Sequence, residues 1–378
     1  MKLKLNSTLF KKKTFKQTTQ RNFSSKPNSV VWKRLRKNPL AVVSMCVIVL
    51  FTLVAILGYT ITPDKTPYAN EQHLELAIKK PGFKVQMLKV YDREEVKTNF
   101  FENMLFGTPS PTTNIPIYKY SVKDDILTYE TFTGDNPNEG EVKSLKKGTK
   151  YEIDEKYYIL GTDKYGRCLL SQLMIGTRVS LSVGFIAIII AIFIGVTLGA
   201  IAGYFGGKVD NVIMWFINVI WSIPTILLVI AITFALGKGF WQVFVAVGLT
   251  MWVDIARMVR GQVMSLKEQE FVLAGKALGF SNSRIIIKHI LPNVVGAVTV
   301  VIASNFATAI LQEAGLSFLG LGVQPPIPSW GSMIKENYGY IILDAAYMAI
   351  IPGVAIMLLV LSFFMLGSGL RQAMEVKQ

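Results

Sequence analysis

Cysteine and histidine are nearly missing from this chain of 378 residues, which has two of each. Cys46 and Cys168 are far apart, there is no C-x-x-C pair, and His73 and His289 have no ligand-type neighbours at metal spacing. That argues against a disulfide framework and against a metal site. No G-x-x-x-x-G-K-[ST] phosphate loop occurs, so nothing here would cradle a nucleotide. No Ser, His and Asp fall together, and the apolar runs hold no paired carboxylates of the kind that build a proton relay. Asp254 and Glu313 stand singly near the ends of such runs. Acids are also absent from positions 1–37, which carry twelve Lys or Arg. The chain by itself therefore lacks the parts of a nucleotide hydrolase, a metalloenzyme or a proton-driven pump.

What the chain does have is apolar sequence in long, uncharged runs. It is 51% hydrophobic with a net charge of +15. Runs of this length imply an all-α polytopic membrane protein. A basic chain can indicate nucleic acid. Here the basic arm, residues 1–37, abuts the first apolar run, so contact with anionic lipid and a topological role are the simpler account and no nucleic-acid partner is expected. The basic stretch is too long for a cleavable signal and the run after it is of span length, so it reads as an uncleaved anchor. The first span, Pro39 to about Ile61 within 38–62, carries no charge. With the arm inside, residue 62 onward lies outside.

Residues 63–160 are too long and too polar for a simple connection. Seventeen of the 25 acids fall between Asp64 and Asp163. Phe83–Tyr91 and Ile115–Phe132 are rich in strand-favouring residues, and Thr133 to Pro137 form a turn cluster. A small β-rich extracytoplasmic insertion is expected. Its aromatics (Phe83, Tyr91, Phe100, Phe101, Phe106, Tyr118, Tyr120 and Tyr129) favour a packed unit.

Residues 161–378 form a core with five more spans. The second runs from about Val179 to Tyr204. Ala187, Ala191, Gly195, Gly199 and Gly203 recur every four residues along it, a stripe that allows close helix packing. In the third span, about Val209 to Leu236, Asn211, Trp215, Asn218, Ser222 and Thr225 make a polar stripe, with a kink expected at Pro224. A fourth span, about Phe240 to Ala256, is short, and Asp254 is placed to pair with Arg257 or Arg260. Span five, about Leu291 to Leu311, carries a second polar stripe of Ser304, Asn305, Thr308 and Gln312. In lipid such stripes face a partner helix or water. Residues 315–345, with five glycines and three prolines, read as an irregular or re-entrant outer segment. The sixth span is about Ala345 to Leu366. Six spans put both termini inside.

Between spans four and five lies a basic loop, 257–290. The positive-inside rule explains its lysines and arginines. It does not explain the structured stretch from Glu270 to Asn293. Phe271, Ala274 and Leu278 share a helix face. Gly279 is placed to end that helix in a left-handed turn. Ser281 or Asn282 is placed to cap the next helix, and Pro292 fits the first turn of the span. The pattern reads as a helical knob that docks into a partner.

EFVLAGKALGFSNSRIIIKHILPN resembles the coupling loop of bacterial ABC-importer permeases. GTDKYGRCLLSQLMIGTRVSLSVG and LSFLGLGVQPPIPSWG resemble, in order, two further segments of the oligopeptide and dipeptide branch. Cys168, Gln172 and Ser368 depart from that branch's usual residues, and Gly275 replaces a common Ala. The resemblance implies a C-type oligopeptide permease subunit at the bacterial cell membrane. Its ATPase-coupling residues would be Glu270, Phe271, Ala274, Gly275, Leu278, Gly279, Leu291 and Pro292. It would work with a homologous permease subunit, two cytoplasmic ABC ATPase subunits that hold ATP and Mg, and an external peptide-binding protein. Nothing would be bound by this chain as a cofactor. Asn211, Asn218, Ser222, Ser304, Asn305, Thr308 and Gln312 are the candidate pathway lining, and Gly195, Gly199 and Gly203 the packing seam. The same pattern serves importers of dipeptides, nickel or other small solutes. A membrane receptor or scaffold with 63–160 as a sensing domain is the alternative of a different class.

Overall fold

A computed structural model describes residues 27–94, 99–134, 140–237 and 239–374. The first 26 residues of the arm, the 135–137 part of the turn cluster and the last four residues lie outside the described residues. Helix α1 (Pro27–Leu35) already belongs to the folded body, which corrects the boundary of the arm. Leu35 and Ala41 pack on Ala373, and Arg34 donates to the Ala373 carbonyl at 3.3 Å. Asn38 then caps α2 (Pro39–Leu57) by accepting from the Ala41 N–H, with Pro39 at the helix start, where a missing N–H costs nothing.

Among the described residues, five helical runs are long and apolar enough to cross a membrane: Pro39–Thr60, Leu169–Phe205, Phe240–Lys267, Asn282–Phe318 and Tyr347–Met374. The second of these is α4, the third α7 and the last α12. A sixth span exists only if α5 (Gly207–Trp221) and α6 (Thr225–Leu236) are taken together. The expected kink is in fact a break, with the two helices turned 92° to each other. Pro224 sits between them in non-helical backbone and cannot donate to the preceding turn. The expected stripe therefore ends at Ser222, and Thr225 starts a new axis.

Two helices run past the expected span limits. The helix of the fourth span does not stop at Ala256: α7 continues to Lys267, so residues 257–267 are helix and not loop. The helix of the fifth span does not begin at Leu291. A short turn of helix, α9 (Asn282–Arg284), passes through a π-helical turn, Ile285–Ile290, into α10 (Leu291–Phe318). The Leu291 N–H donates to the Ile286 carbonyl, five residues back. That widened turn keeps the helix continuous up to Pro292, which has no N–H to offer.

The seam between α4 and α7 holds the bundle together. A side chain added at Gly195 would meet the Trp252 carbonyl at 2.7 Å, at Gly199 that of Ala256 at 2.5 Å, and at Gly203 that of Arg260 at 2.7 Å. Each partner lies four residues on from the last, so the two backbones run in contact along one stripe. Ala187 and Ala191 continue it and are fully buried.

Strands β1 (Phe83–Tyr91), β2 (Thr112–Lys123), β3 (Ile126–Thr131), β4 (Val142–Ser144) and β5 (Tyr151–Tyr158) form one antiparallel sheet in the order β4-β3-β2-β1-β5. The expected strand over 115–132 is a hairpin. Asp124 and Asp125 both take positive φ, 51° and 61°, and turn the chain in two residues. Alternation along β1 serves two small cores: Val85 and Met87 join Leu76, Tyr158 and Cys168, and Leu88 and Val90 join Ile117, Leu127 and Tyr129. Phe83, Tyr118 and Tyr129 are part of this packing, but Phe100, Phe101 and Phe106 are not. They lie exposed on a separate helix, α3 (Phe100–Phe106).

Candidate functional site

The sheet stands at one end of the bundle, and the helical knob hangs from the other. The knob consists of α8 (Glu270–Ala277) and the turn that follows it. Its end is a Schellman motif: the Phe280 N–H donates to the Gly275 carbonyl at 3.1 Å, and the Gly279 N–H to that of Lys276 at 2.9 Å. Gly279 supplies the required positive φ of 77°. Ser281, rather than Asn282, is the cap, accepting from the Arg284 N–H. Asn282 instead accepts a 2.8 Å bond from the Tyr204 hydroxyl at the end of α4.

The face buried against the body is Val272, Gly275 and Ile285. The shared face read from the sequence points the other way. Phe271, Leu273, Ala274 and Leu278 are exposed, Leu278 at 73%. Glu270 is exposed in the first turn, where a carboxylate suits the helix dipole. Leu291 is half-buried and Pro292 exposed at the start of α10. Phe280 was not singled out by pattern, yet it organises the turn. Its ring stacks on His289 with centroids 5.6 Å apart, lies under the Arg284 guanidinium at 4.0 Å, and covers Gly275.

Within the bundle, part of the α10 stripe meets Thr225 at the broken span. A small cavity of about 80 Å³ is lined by Trp221 and Thr225 at the break, Asp254 of α7, and Asn305, Thr308 and Gln312 of α10. It has room for a few waters. The Asn305 Nδ2 and the Gln312 Oε1 are buried without a partner among the described residues. Asn211, Asn218 and Ser222 lie exposed on α5 outside it, with the Ser222 hydroxyl donating to the Val219 carbonyl at 2.7 Å. Ser304 is half-buried one turn along α10.

Asp254 lines this cavity and pairs with neither arginine. Arg260 makes a two-pronged bond to Asp210, at 2.5 and 2.6 Å, and the Arg257 guanidinium lies 3.8 Å over the Trp221 ring. Asp210 lies 44 positions from Asp254, and no helical spacing linked it to Arg260.

At the sheet end, the irregular segment 315–345 packs on protein. Ser329 and Ser332 cap α11 (Trp330–Asn337) reciprocally, and the fully buried Trp330 donates from its indole to the Leu173 carbonyl at 2.9 Å. Glu313 is completely buried with Ser317 and Ser180 on its oxygens, at 2.7 and 3.2 Å. The departures at 168 and 172 fit their surroundings. Gln172 donates to Asp163 at 3.0 Å beside Arg167, which also reaches Glu336 at 2.9 Å, and Cys168 is a buried core residue. Ser368 is exposed between the buried Gly367 and Gly369.

Long apolar helices, a broken span beside a polar cavity and an exposed helical knob define a polytopic membrane protein. The family described as binding-protein-dependent transport system inner membrane component matches residues 195–376, and the N-terminal TM domain of oligopeptide transport permease C matches 27–81. The chain is 43% identical to the dipeptide transport system permease protein of Alkalihalophilus pseudofirmus over 57% of its own length and 71% of the relative's. It is 32% identical to the dipeptide transport system permease protein of Lactococcus lactis over 91% and 89%. It is 37% identical to the oligopeptide transport system permease protein of Bacillus subtilis over 59% and 72%. The chain belongs to the family of inner membrane permease components of binding-protein-dependent transport systems, the peptide branch of ABC-importer permeases.

Proposed function

We propose that this permease component forms half of a translocation pathway for oligopeptides and passes the work of a cytoplasmic ATPase to it through α8. The observation that carries the coupling role is the exposed apolar face of α8, Phe271, Leu273, Ala274 and Leu278, fixed in place by Val272, Gly275 and Phe280. An apolar patch on a rigid, charged surface beyond the spans is a docking surface. Glu270, Gly279, Leu291 and Pro292 complete the coupling surface, with Gly279 setting the turn at its end. The partners are a homologous permease subunit, two ABC ATPase subunits that bind ATP and Mg, and an external peptide-binding protein. This chain holds no cofactor and hydrolyses nothing.

The termini and α8 face the cytoplasm, because the Lys and Arg cluster at that end. The sheet of residues 83–158 is then extracytoplasmic, on the side from which peptide arrives. Asn305, Thr308 and Gln312, joined by Thr225 and Asp254, line the pathway at its narrow part, and Asn211, Asn218, Ser222 and Ser304 lie along its approach. A peptide's backbone needs such donors and acceptors, since an amide left unpaired in an apolar passage costs about 1–3 kcal/mol. The test is co-purification of the assembled importer. Replacing Phe271 and Leu278 together by Asp is expected to strip the ATPase subunits from the complex while the two permease subunits stay together. Retention of the ATPases at the native ratio would remove α8 from the interface.

A further inference from the structure

A crevice of about 760 Å³ opens on the flank of the bundle between α2, α4, α10 and α12. Its volume lies within the roughly 300–1,000 Å³ of small-molecule sites. Ile48, Thr52, Leu181, Phe185, Phe306 and Phe363 line it. The Thr52 hydroxyl is already committed to the Ile48 carbonyl at 2.7 Å, so the wall is apolar in effect. It lies within the spans and is continuous with their lipid-facing flanks, where Leu53 and Phe193 are exposed.

Two features at its sheet-end rim are unlike the rest of the flank. The first is Arg178. Its guanidinium donates to the carbonyls of Ala55 at 2.6 Å, Ile56 at 3.2 Å, Met104 at 2.6 Å and Leu105 at 2.6 Å. It thereby ties the ends of α2 and α3 together, where helix dipoles favour a cation. Among the described residues no carboxylate forms an ion pair with it. Four of its five N–H donors are used, and a full positive charge is left at the end of the spans. The second is α3 itself, FFENMLF. Phe100, Phe101, Leu105 and Phe106 are all exposed, Phe101 at 71%, and Met104 and Leu105 form the lip of the crevice. Four bare apolar side chains on seven residues are unfavourable in water and favourable at the boundary of headgroups and acyl chains. The Arg178 clamp holds them at the level where α2 ends.

We propose that α3 lies in the headgroup boundary of the sheet-side leaflet, and that the crevice beneath it seats an acyl chain of one anionic phospholipid whose phosphate faces Arg178. The apolar wall accepts the chain, and the cation, held by carbonyls and the Tyr59 ring but paired with no carboxylate among the described residues, selects the charged headgroup. The inserted sheet is thereby fastened to the bilayer as well as to the bundle.

The assembled importer in lipid nanodiscs, doped with phosphatidylglycerol carrying a photoactivatable group on its acyl chain, tests this. Adducts mapped by mass spectrometry are expected on Leu181, Phe185 and Leu105 at several times the level on the equally lipid-facing Leu53 and Phe193. Excess phosphatidylglycerol should compete and phosphatidylcholine should not. Ser182→Trp, which fills the crevice, should reduce the crevice adducts to the background level, and Arg178→Gln should abolish the headgroup preference. Equal labelling of crevice and flank, unchanged by Ser182→Trp, would overturn the proposal. So would an unlabelled crevice in which Phe185→Cys cross-links to the second permease subunit, since the occupant would then be protein.

Discussion

At the scale of single residues, glycines with the same absence of a side chain do different work. Gly199 lies where an added Cβ would sit 2.5 Å from the Ala256 carbonyl, on a backbone that α7 holds in place. Gly199→Val is expected to lower the unfolding free energy of the detergent-purified chain, read by denaturation, by about 1–3 kcal/mol or more, the usual range of overpacking. Gly275→Ala, where the nearest atom is the edge of the Phe280 ring at 3.4 Å, should leave it within about 1 kcal/mol. The glycine stripe was legible because a period of four on one helix needs no partner to be seen. Glu71 was not legible. Burial pushes its carboxyl up, and the His73 imidazole at 3.2 Å, the Lys156 ammonium at 2.6 Å and the Asn114 amide more than reverse that, holding it well below the carboxylate range. Those partners come from three separate stretches of sequence. A carboxyl with a depressed folded value contributes stability above its ordinary value of about 4.3 and loses it as pH falls through the folded value. Acid melting of the chain below about pH 4.3 should therefore be less steep in Glu71→Gln. Asp64, whose carboxyl burial pushes up, works in the opposite sense and should make the acid loss steeper when changed to Asn.

At the scale of elements, the two breaks in regular helix are where the proposed pathway and coupling residues gather. The 92° turn at Ser222–Pro224 brings α6 across the bundle and places Thr225 opposite Asn305 and Gln312. Each polar stripe was visible from its spacing, but their meeting was not. Pattern reading treated α5 and α6 as one bent cylinder, so it assigned Asn211 and Thr225 to the same face. The cavity contains only part of either stripe, and Asp254 enters it from a third helix. Asn305→Leu together with Gln312→Leu is expected to cut peptide uptake by the reconstituted importer about tenfold while basal ATP hydrolysis stays near the native rate. Equal loss of both would make these residues packing groups. In the knob, the Schellman turn was readable from Gly279 and its neighbours, whereas the packing role of Phe280 depends on His289, nine positions on and past a π turn that sequence gives no sign of. Phe280→Ala should loosen α8. A spin label at Leu273→Cys would report this as a shift from restricted to free motion.

At the scale of the whole molecule, one rigid seam separates a docking end from a sheet end. The α4–α7 contact links Trp330 and the buried Glu313 cluster at one end to Tyr204 and Asn282 at the other through continuous helix. On the proposed coupling role, a displacement of α8 would be carried along packed backbone rather than absorbed in a flexible loop. The central claim is that the shape of the knob, not merely its presence, transmits the work. The most direct measurement is peptide taken up per ATP hydrolysed by the reconstituted importer carrying Gly279→Val. A β-branched residue at φ 77° is strained by about 1–2 kcal/mol or more and displaces the end of α8 without removing its apolar face. The account predicts an assembled complex that still hydrolyses ATP, with uptake per ATP reduced at least tenfold. Uptake per ATP at the native value, with the complex intact, would contradict it.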